Sequence, residues 1–218
     1  MYGVIFLSLS ILALLGEATT IGSDGTFRSA PEFFHQVYTI HVDNQGHTFP
    51  FAYVLMTHRN QLLYEEVMNQ ILETVTLEYP NFNLSNIKYC MSDFEPAILG
   101  AMQVAFPNAV AKGCWVHYGQ AIYRKTSELG LSVTHKQKGV VYKIVKELIA
   151  LALLPAKDIL EGFQVYYLIL SYPNCSYAKK LFFVFRSSRQ SMKLLLLMSR
   201  NALKMEFRLC MHTTGVTE

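Results

Sequence analysis

The sequence predicts an α/β fold: a mixed five-stranded sheet in the order βββ-α-β-α-β-α, followed by a C-terminal helical extension. Three observations carry this. Aromatic and β-branched runs joined by short links come first. The hydrophobic period then changes from two to that of a helix near residue 62. After that, short apolar runs alternate with helical segments, the pattern of βα units packed on a sheet.

The first strand is "TTIGSDGTF", with Asp24 ahead of a turn-permitting Gly25. "FFHQVYTIHV" and "TFPFAYVLMT" follow as an antiparallel pair, and the link "DNQGH" offers Asn and Gly where a hairpin turn needs them. "LLYEEVMNQILETVTLEY" gathers Leu63, Val67, Ile71, Leu72 and Val75 on one helical face. "IKYCMSD" is a short buried strand ending at Asp93, and Pro96 suits the first turn of the helix "AILGAMQVAF". "VAKGCWVHY" is expected as the fifth strand and "GQAIYRKTSELG" as the third helix, closed by Gly130. Beyond it, "GVVYKIVKELIALALLP" is one helix stopped by Pro155, and "AKDILEGFQVYYLIL" a second. Three segments result: a core over residues 1–130, a helical continuation over 131–170, and a basic, apolar tail over 171–218 without clean periodicity.

With 218 residues, 51% of them hydrophobic and only 16% charged, the chain can bury a substantial core, and disorder is excluded for most of its length. Cysteines at 90, 114, 175 and 210 are too few and too unevenly spaced for a disulfide framework. The overall charge of +3 hides an asymmetry. Residues 1–110 hold 3 Lys/Arg against 10 Asp/Glu, and residues 111–218 hold 16 against 6. A basic half beside an acidic half suits a polyanion held by one and a metal held by the other, although a dipolar surface with no partner reads the same way.

The opening "MYGVIFLSLSILALLGEA" has an apolar run from Val4 to Leu15 and small residues near Ala18, as a secretory signal would. No Lys or Arg precedes the run, and it falls short of the roughly 20 residues that span a bilayer.

In a sheet of this order the first strand can lie beside the fourth, so that Asp24 and Asp93 converge. Two carboxylates at strand ends with a third on a later helix are what two-metal phosphodiester chemistry requires. Hard cations such as Mg²⁺ take oxygen ligands and keep several waters, so few protein ligands suffice.

"DGTFRSAPEFFHQVYTIHV", "TFPFAYVLMTHRNQLLYEEV", "MSDFEPAILGAMQVAFPNA" and "GCWVHYGQAIYRK" together resemble the transposase domain of Mutator-like elements (MULE), from roughly Val4 to Tyr167. The lead-in "VIFLSLSILALLGEATTIGSDGTF" is similar to that family's approach to its first catalytic strand, which makes a secretory signal the weaker reading. No single motif is specific. Their order on the expected elements is.

The resemblance implies a ribonuclease-H-like fold and a DDE catalytic set. Asp24 matches the first catalytic Asp, with a turn-forming Asp-Gly as the bland alternative. Asp93 matches the second, against a helix-capping carboxylate. Glu95 is expected to support the helix N-terminus. Glu161 in "KDILEGF" is the candidate third acid, with Glu147 in "VKELIAL" the alternative. Together Asp24, Asp93 and Glu161 would hold Mg²⁺ or Mn²⁺. Cys114 and His117 match the family's Cys-x-x-His signature, although Val116 stands where an aromatic often precedes the His. A closed zinc site wants four ligands and no second suitable pair follows, so zinc is not expected.

DNA, as transposon end or target, is the implied partner, with possible self-association, no membrane and a nuclear location. Arg124, Lys125, Lys136 and Lys138, with Lys143 and Lys146, would meet phosphates. The function implied is metal-dependent DNA cleavage and strand transfer. The alternative is a domesticated relative that binds DNA or protein without cutting, since the ending after Tyr167 departs from the family.

Overall fold

A central six-stranded mixed sheet organises the first part of the chain, in the order β1-β4-β3-β2-β5-β6. The computed structural model describes residues 2–171, so the tail expected over 171–218 lies, from residue 172 on, outside the described residues. The described chain divides into two compact units, one ending at Lys112 and the other starting at Gly113.

In the first unit the strands are β1 (Gly3–Leu7), β2 (Thr20–Thr26), β3 (Gln36–Asn44), β4 (His47–Met56), β5 (Tyr89–Ser92) and β6 (Val110–Gly113). The mixed α/β class is as expected, but the sheet has six strands rather than five. The added strand is β1, which pairs antiparallel with β4, Gly3 opposite Met56 and Leu7 opposite Ala52. It comes from the apolar run near the N-terminus, whose continuation is the short helix α1 (Leu9–Leu12). Leu12 and Leu15 are buried in the core.

The hairpin between β3 and β4 closes through Gln45 and Gly46, both with positive φ (53° and 77°). Two positive-φ residues make the turn whose twist matches that of the strands, and Gly46 adopts it without a Cβ clash. Asn44 and His47 are the last paired residues, and a bulge interrupts the register at Ile40/His41.

One face of the sheet packs on α2 (Gln61–Glu78) and α3 (Pro96–Ala105). Asn60 caps α2, its side chain accepting the Leu63 N–H at 2.9 Å. Leu63, Val67, Ile71 and Val75 recur at helical spacing and point into the core with Met68. Pro96 opens α3, where its missing N–H is harmless. Alternate strand residues meet this layer: Tyr38, Ile40 and Val42 from β3, and Ala52, Val54 and Met56 from β4.

The second unit begins with α4 (Trp115–Glu128), followed by α5 (Ser132–Lys136), α6 (Val140–Ala150) and α7 (Ile159–Ser171). Residues 114–118, expected in a strand, instead start this helix. Cys114, Tyr118, Ile122 and Thr126 are buried while the alternate positions Val116, Gln120 and Arg124 are not, a helical rather than a strand pattern. The Trp115 indole N–H donates to the Ile149 carbonyl at 3.3 Å and the Tyr118 hydroxyl to that of Leu148 at 3.1 Å. Those bonds tie α4 to the end of α6.

Ile40 is fully buried between β2 and β4, so Ile40→Ala should lower unfolding stability by about 2–5 kcal/mol through lost transfer energy and a residual cavity. Urea denaturation of the two proteins measures it.

Candidate active site

β2 and β5 are neighbouring parallel strands, with Thr20 opposite Tyr89, Ile21 opposite Cys90 and Gly22 opposite Met91. Carried two residues further, the same register sets Asp24 level with Asp93. From β2 the chain moves on to β3 on one side of the sheet, while β6 lies on the other side of β5. The order of strands therefore reverses between β2 and β5. In open α/β sheets the crevice outside the carboxyl ends of two such strands is where ligands bind. Asp24 and Asp93 stand at that crevice, both half-buried.

Each carboxylate is fixed by a local backbone bond. Asp24 Oδ1 accepts the Gly25 N–H at 2.8 Å. Asp93 Oδ1 accepts the Glu95 N–H at 2.9 Å, turning the chain into α3. Asp24 and Gly25 lie inside β2, paired with Thr39 and Tyr38, so the pair does not form a turn. Gly25 is needed for another reason: a Cβ there would come within 2.6 Å of the Gln36 Oε1.

Gln36 belongs to a buried polar group that sequence patterns did not reveal. Its Nε2 donates to the Tyr64 hydroxyl at 2.6 Å, and the Tyr64 ring meets the Tyr38 ring edge-on at 5.0 Å. Gln36, Tyr38 and Tyr64 are fully buried. The Gln36 Oε1 has no hydrogen-bond partner among the described residues. Burial pushes the Tyr38 phenol well above its ordinary range, tempered by nearby Ser23 and reinforced by other neighbours that include Asp93. It also pushes Tyr64 up to about 12, against the bonds from Gln36 and Arg59.

Arg59 completes the group. Its guanidinium carbon lies 4.5 Å from the centre of the Phe27 ring, and its Nη2 donates to the Glu95 carboxylate. Burial alone would lower the Arg59 pKa, but the bond and charge of Glu95 outweigh it. Glu95 is the N-cap residue of α3, yet its side chain makes no capping bond. Its carboxylate instead pairs with Arg59. Arg59 is one of three cations in the first 110 residues, and that scarcity was the available signal.

The other candidates lie in the second unit. Cys114 is the buried N-cap residue of α4, and His117 is the third residue of that helix. Glu161 is exposed in the first turn of α7. Glu147, on α6, accepts a hydrogen bond from the Tyr166 hydroxyl. Arg124, Lys136 and Lys138 are exposed, while Lys125 is half-buried and paired with Glu128 at 2.7 Å.

Among the described residues no group of three His, Cys, Asp or Glu side chains gathers as a metal site. Asp24 and Asp93 nevertheless fit a hard divalent cation in kind: two carboxylates on adjacent strands, with the other positions left to water or substrate oxygens. Among the described residues no helix is long and apolar enough to cross a membrane.

A mixed α/β sheet carrying an acid pair where the strand order reverses describes a class of ligand-binding site. Residues 20–121 match the family model of the MULE transposase domain. The matched stretch opens with the first residue of β2 and holds Asp24, Asp93, Cys114 and His117, whereas Glu161 lies outside it. No curated protein matches the chain.

His41, paired with Gly22, is buried, and desolvation pushes its pKa down to about 4. Between pH 6.5 and about 4 the unfolded chain binds a proton that the folded state refuses, so stability falls as pH falls through that window. Asp43, raised by burial, works in the opposite sense at the acid end. His41→Gln should flatten the decline between pH 6.5 and 4.5, measured by urea denaturation at each pH.

Proposed function

We propose that the chain is a transposon-derived DDE transposase domain of ribonuclease-H-like fold that cuts and joins DNA. The observation that carries this is the parallel pairing of β2 with β5, whose register, extended two residues past its last pair, would set Asp24 level with Asp93. The family match over residues 20–121 supports it, as does the central place of the two strands in the sheet.

Asp24 and Asp93 would hold Mg²⁺ or Mn²⁺, with Glu161 the candidate third carboxylate and Glu147 the alternative. Bound there, such ions supply Lewis-acid stabilisation of the attacking and leaving oxygens of an in-line displacement. What the chain contributes is placement. Backbone N–H bonds fix both carboxylates, and the strands beneath them are anchored by the α2–α3 core, so the acids do not reorganise when charge develops at phosphorus. In the first reaction a water oxygen bonds to phosphorus and the 3′ oxygen leaves and is protonated, freeing a 3′-hydroxyl. In the second, that hydroxyl attacks a target phosphodiester and the displaced strand keeps the new hydroxyl. Cys114 and His117 carry the family's signature at the start of α4.

The substrate is held by the basic second unit. Arg124, Lys125, Lys136 and Lys138, with Lys143 and Lys146, face a phosphate backbone without reading bases. Lys125 contributes least because Glu128 already neutralises it. Such a substrate puts the protein in the nucleus, and pairing of two DNA ends calls for a homo-oligomer.

Incubated with Mn²⁺ and transposon-end DNA, the wild-type protein should nick, and Asp93→Asn should cut at least about 100-fold more slowly. Equal cutting by the two, on a denaturing gel, would exclude this site, and binding without nicking by either would identify a non-catalytic relative. Replacing Arg124, Lys136 and Lys138 by Gln should weaken DNA binding and reduce the slope of log K against log salt by about 3. Fluorescence anisotropy across a salt series reads that slope.

A further inference from the structure

We propose that Arg59 is the positioning residue of the Asp24–Asp93 pair, tying the end of β2 to the turn that carries Asp93. This rests on the two-carboxylate reading above and deepens it.

The contacts form a continuous chain. Phe27 directly follows β2, and its ring lies 4.5 Å from the Arg59 guanidinium carbon. The same guanidinium bonds the Glu95 carboxylate. The Glu95 N–H in turn donates to Asp93 Oδ1 at 2.9 Å. Three contacts thus run from the strand holding Asp24 to the carboxylate of Asp93. Helix capping does not explain them. Asn60 caps α2 with its own side chain, and the Glu95 side chain makes no cap bond on α3. The pair is partly shielded: the Glu95 side chain is 14% exposed, and Arg59, at 39%, rests on a ring.

The arrangement answers a physical need. Two carboxylates close together repel when no cation lies between them, and repulsion acts first on the less constrained one. Asp24 sits within a paired strand, while Asp93 lies just beyond the end of β5. Asp93 therefore needs an external brace, and the Arg59–Glu95 pair supplies it. Groups that orient metal-binding side chains in this way change metal affinity by about 10–100-fold.

Removing Arg59 alone would also remove a positive charge near the site, which by itself favours a cation. The test therefore uses the charge-neutral double variant Arg59→Met/Glu95→Gln, which keeps the Glu95 backbone N–H. Mn²⁺ alone is titrated into the full chain, by calorimetry and by its electron paramagnetic resonance signal, with Asp93→Asn alongside. The expected result is Mn²⁺ binding by wild type, near-complete loss in Asp93→Asn, and about ten-fold or more weakening in the double variant. The metal-free melting temperature of the double variant should fall by no more than a few degrees, so a merely structural role would leave Mn²⁺ affinity unmoved.

Unchanged affinity in the double variant, with Asp93→Asn defective, overturns the role of Arg59 and leaves the acid pair standing. Wild-type-like binding by Asp93→Asn, or none by the wild type, overturns the acid pair and the role of Arg59 together. Phe27→Leu, at a ring 47% exposed, removes the seat of the guanidinium and keeps the ion pair. It replaces the double variant should that not fold, with about three-fold weakening expected and wild-type affinity overturning the proposal.

Discussion

The parallel pairing of β2 with β5 is the constraint on which the rest depends. Parallel neighbours cannot be joined by a tight turn. Between them the chain must run out through β3, back through β4 and across α2 before β5 can be laid down. That detour gives β2 an antiparallel partner on one side and leaves its other edge for β5. It also makes α2 long enough, at 18 residues, to cover the strands it bridges. The strand that holds Asp24 and the strand that leads to Asp93 become neighbours because of a topology, although the two acids are 69 positions apart in the chain.

The surroundings of that junction are unusual in cost. Buried polar atoms ordinarily find partners, and leaving one without costs about 1–3 kcal/mol. The Gln36 Oε1 lacks one among the described residues, beside the strand that carries Asp24. The apolar layer of Ile40, Val42, Val54, Met56, Val67 and Ile71 offsets such losses. A fold that keeps a glutamine and two tyrosines fully buried there holds strand ends by directional bonds as well as by packing. Directional bonds fix angles, and a site that positions charge needs angles fixed.

Much of this was legible in the chain. Aromatic and β-branched residues marked β3 and β4, the helical stripe marked α2, and Pro96 marked the start of α3. Asp24 and Asp93 could be assigned to neighbouring strands because sheet rules leave few other places for them. What escaped has physical causes. In Gly3–Leu7 every side chain except glycine is apolar, so period-two burial leaves no polar trace. Trp115, Val116 and Tyr118 favour strands by propensity, and what overrides it is burial that skips the alternate positions Val116, Gln120 and Arg124. Helix α5 has five residues, too few for a period. Arg59 and Glu95 are 36 positions apart and follow no local rule. A third acid was unreadable for the same reason: helical phase orders the faces of one helix and says nothing of which distant strand a glutamate meets.

The strand laid on β4 by the first residues has a consequence of its own. The family match starts only at β2, so β1 is an addition to the matched region, and it occupies the outer rim of a ten-residue strand. An uncovered rim of that length is a row of open backbone donors and acceptors, a template to which another chain can zip. By seating five residues there, the protein trades half of that rim for a shorter one. Removing Gly3–Leu7 would therefore yield a stickier molecule, prone to self-adhesion along the very seam that β1 seals.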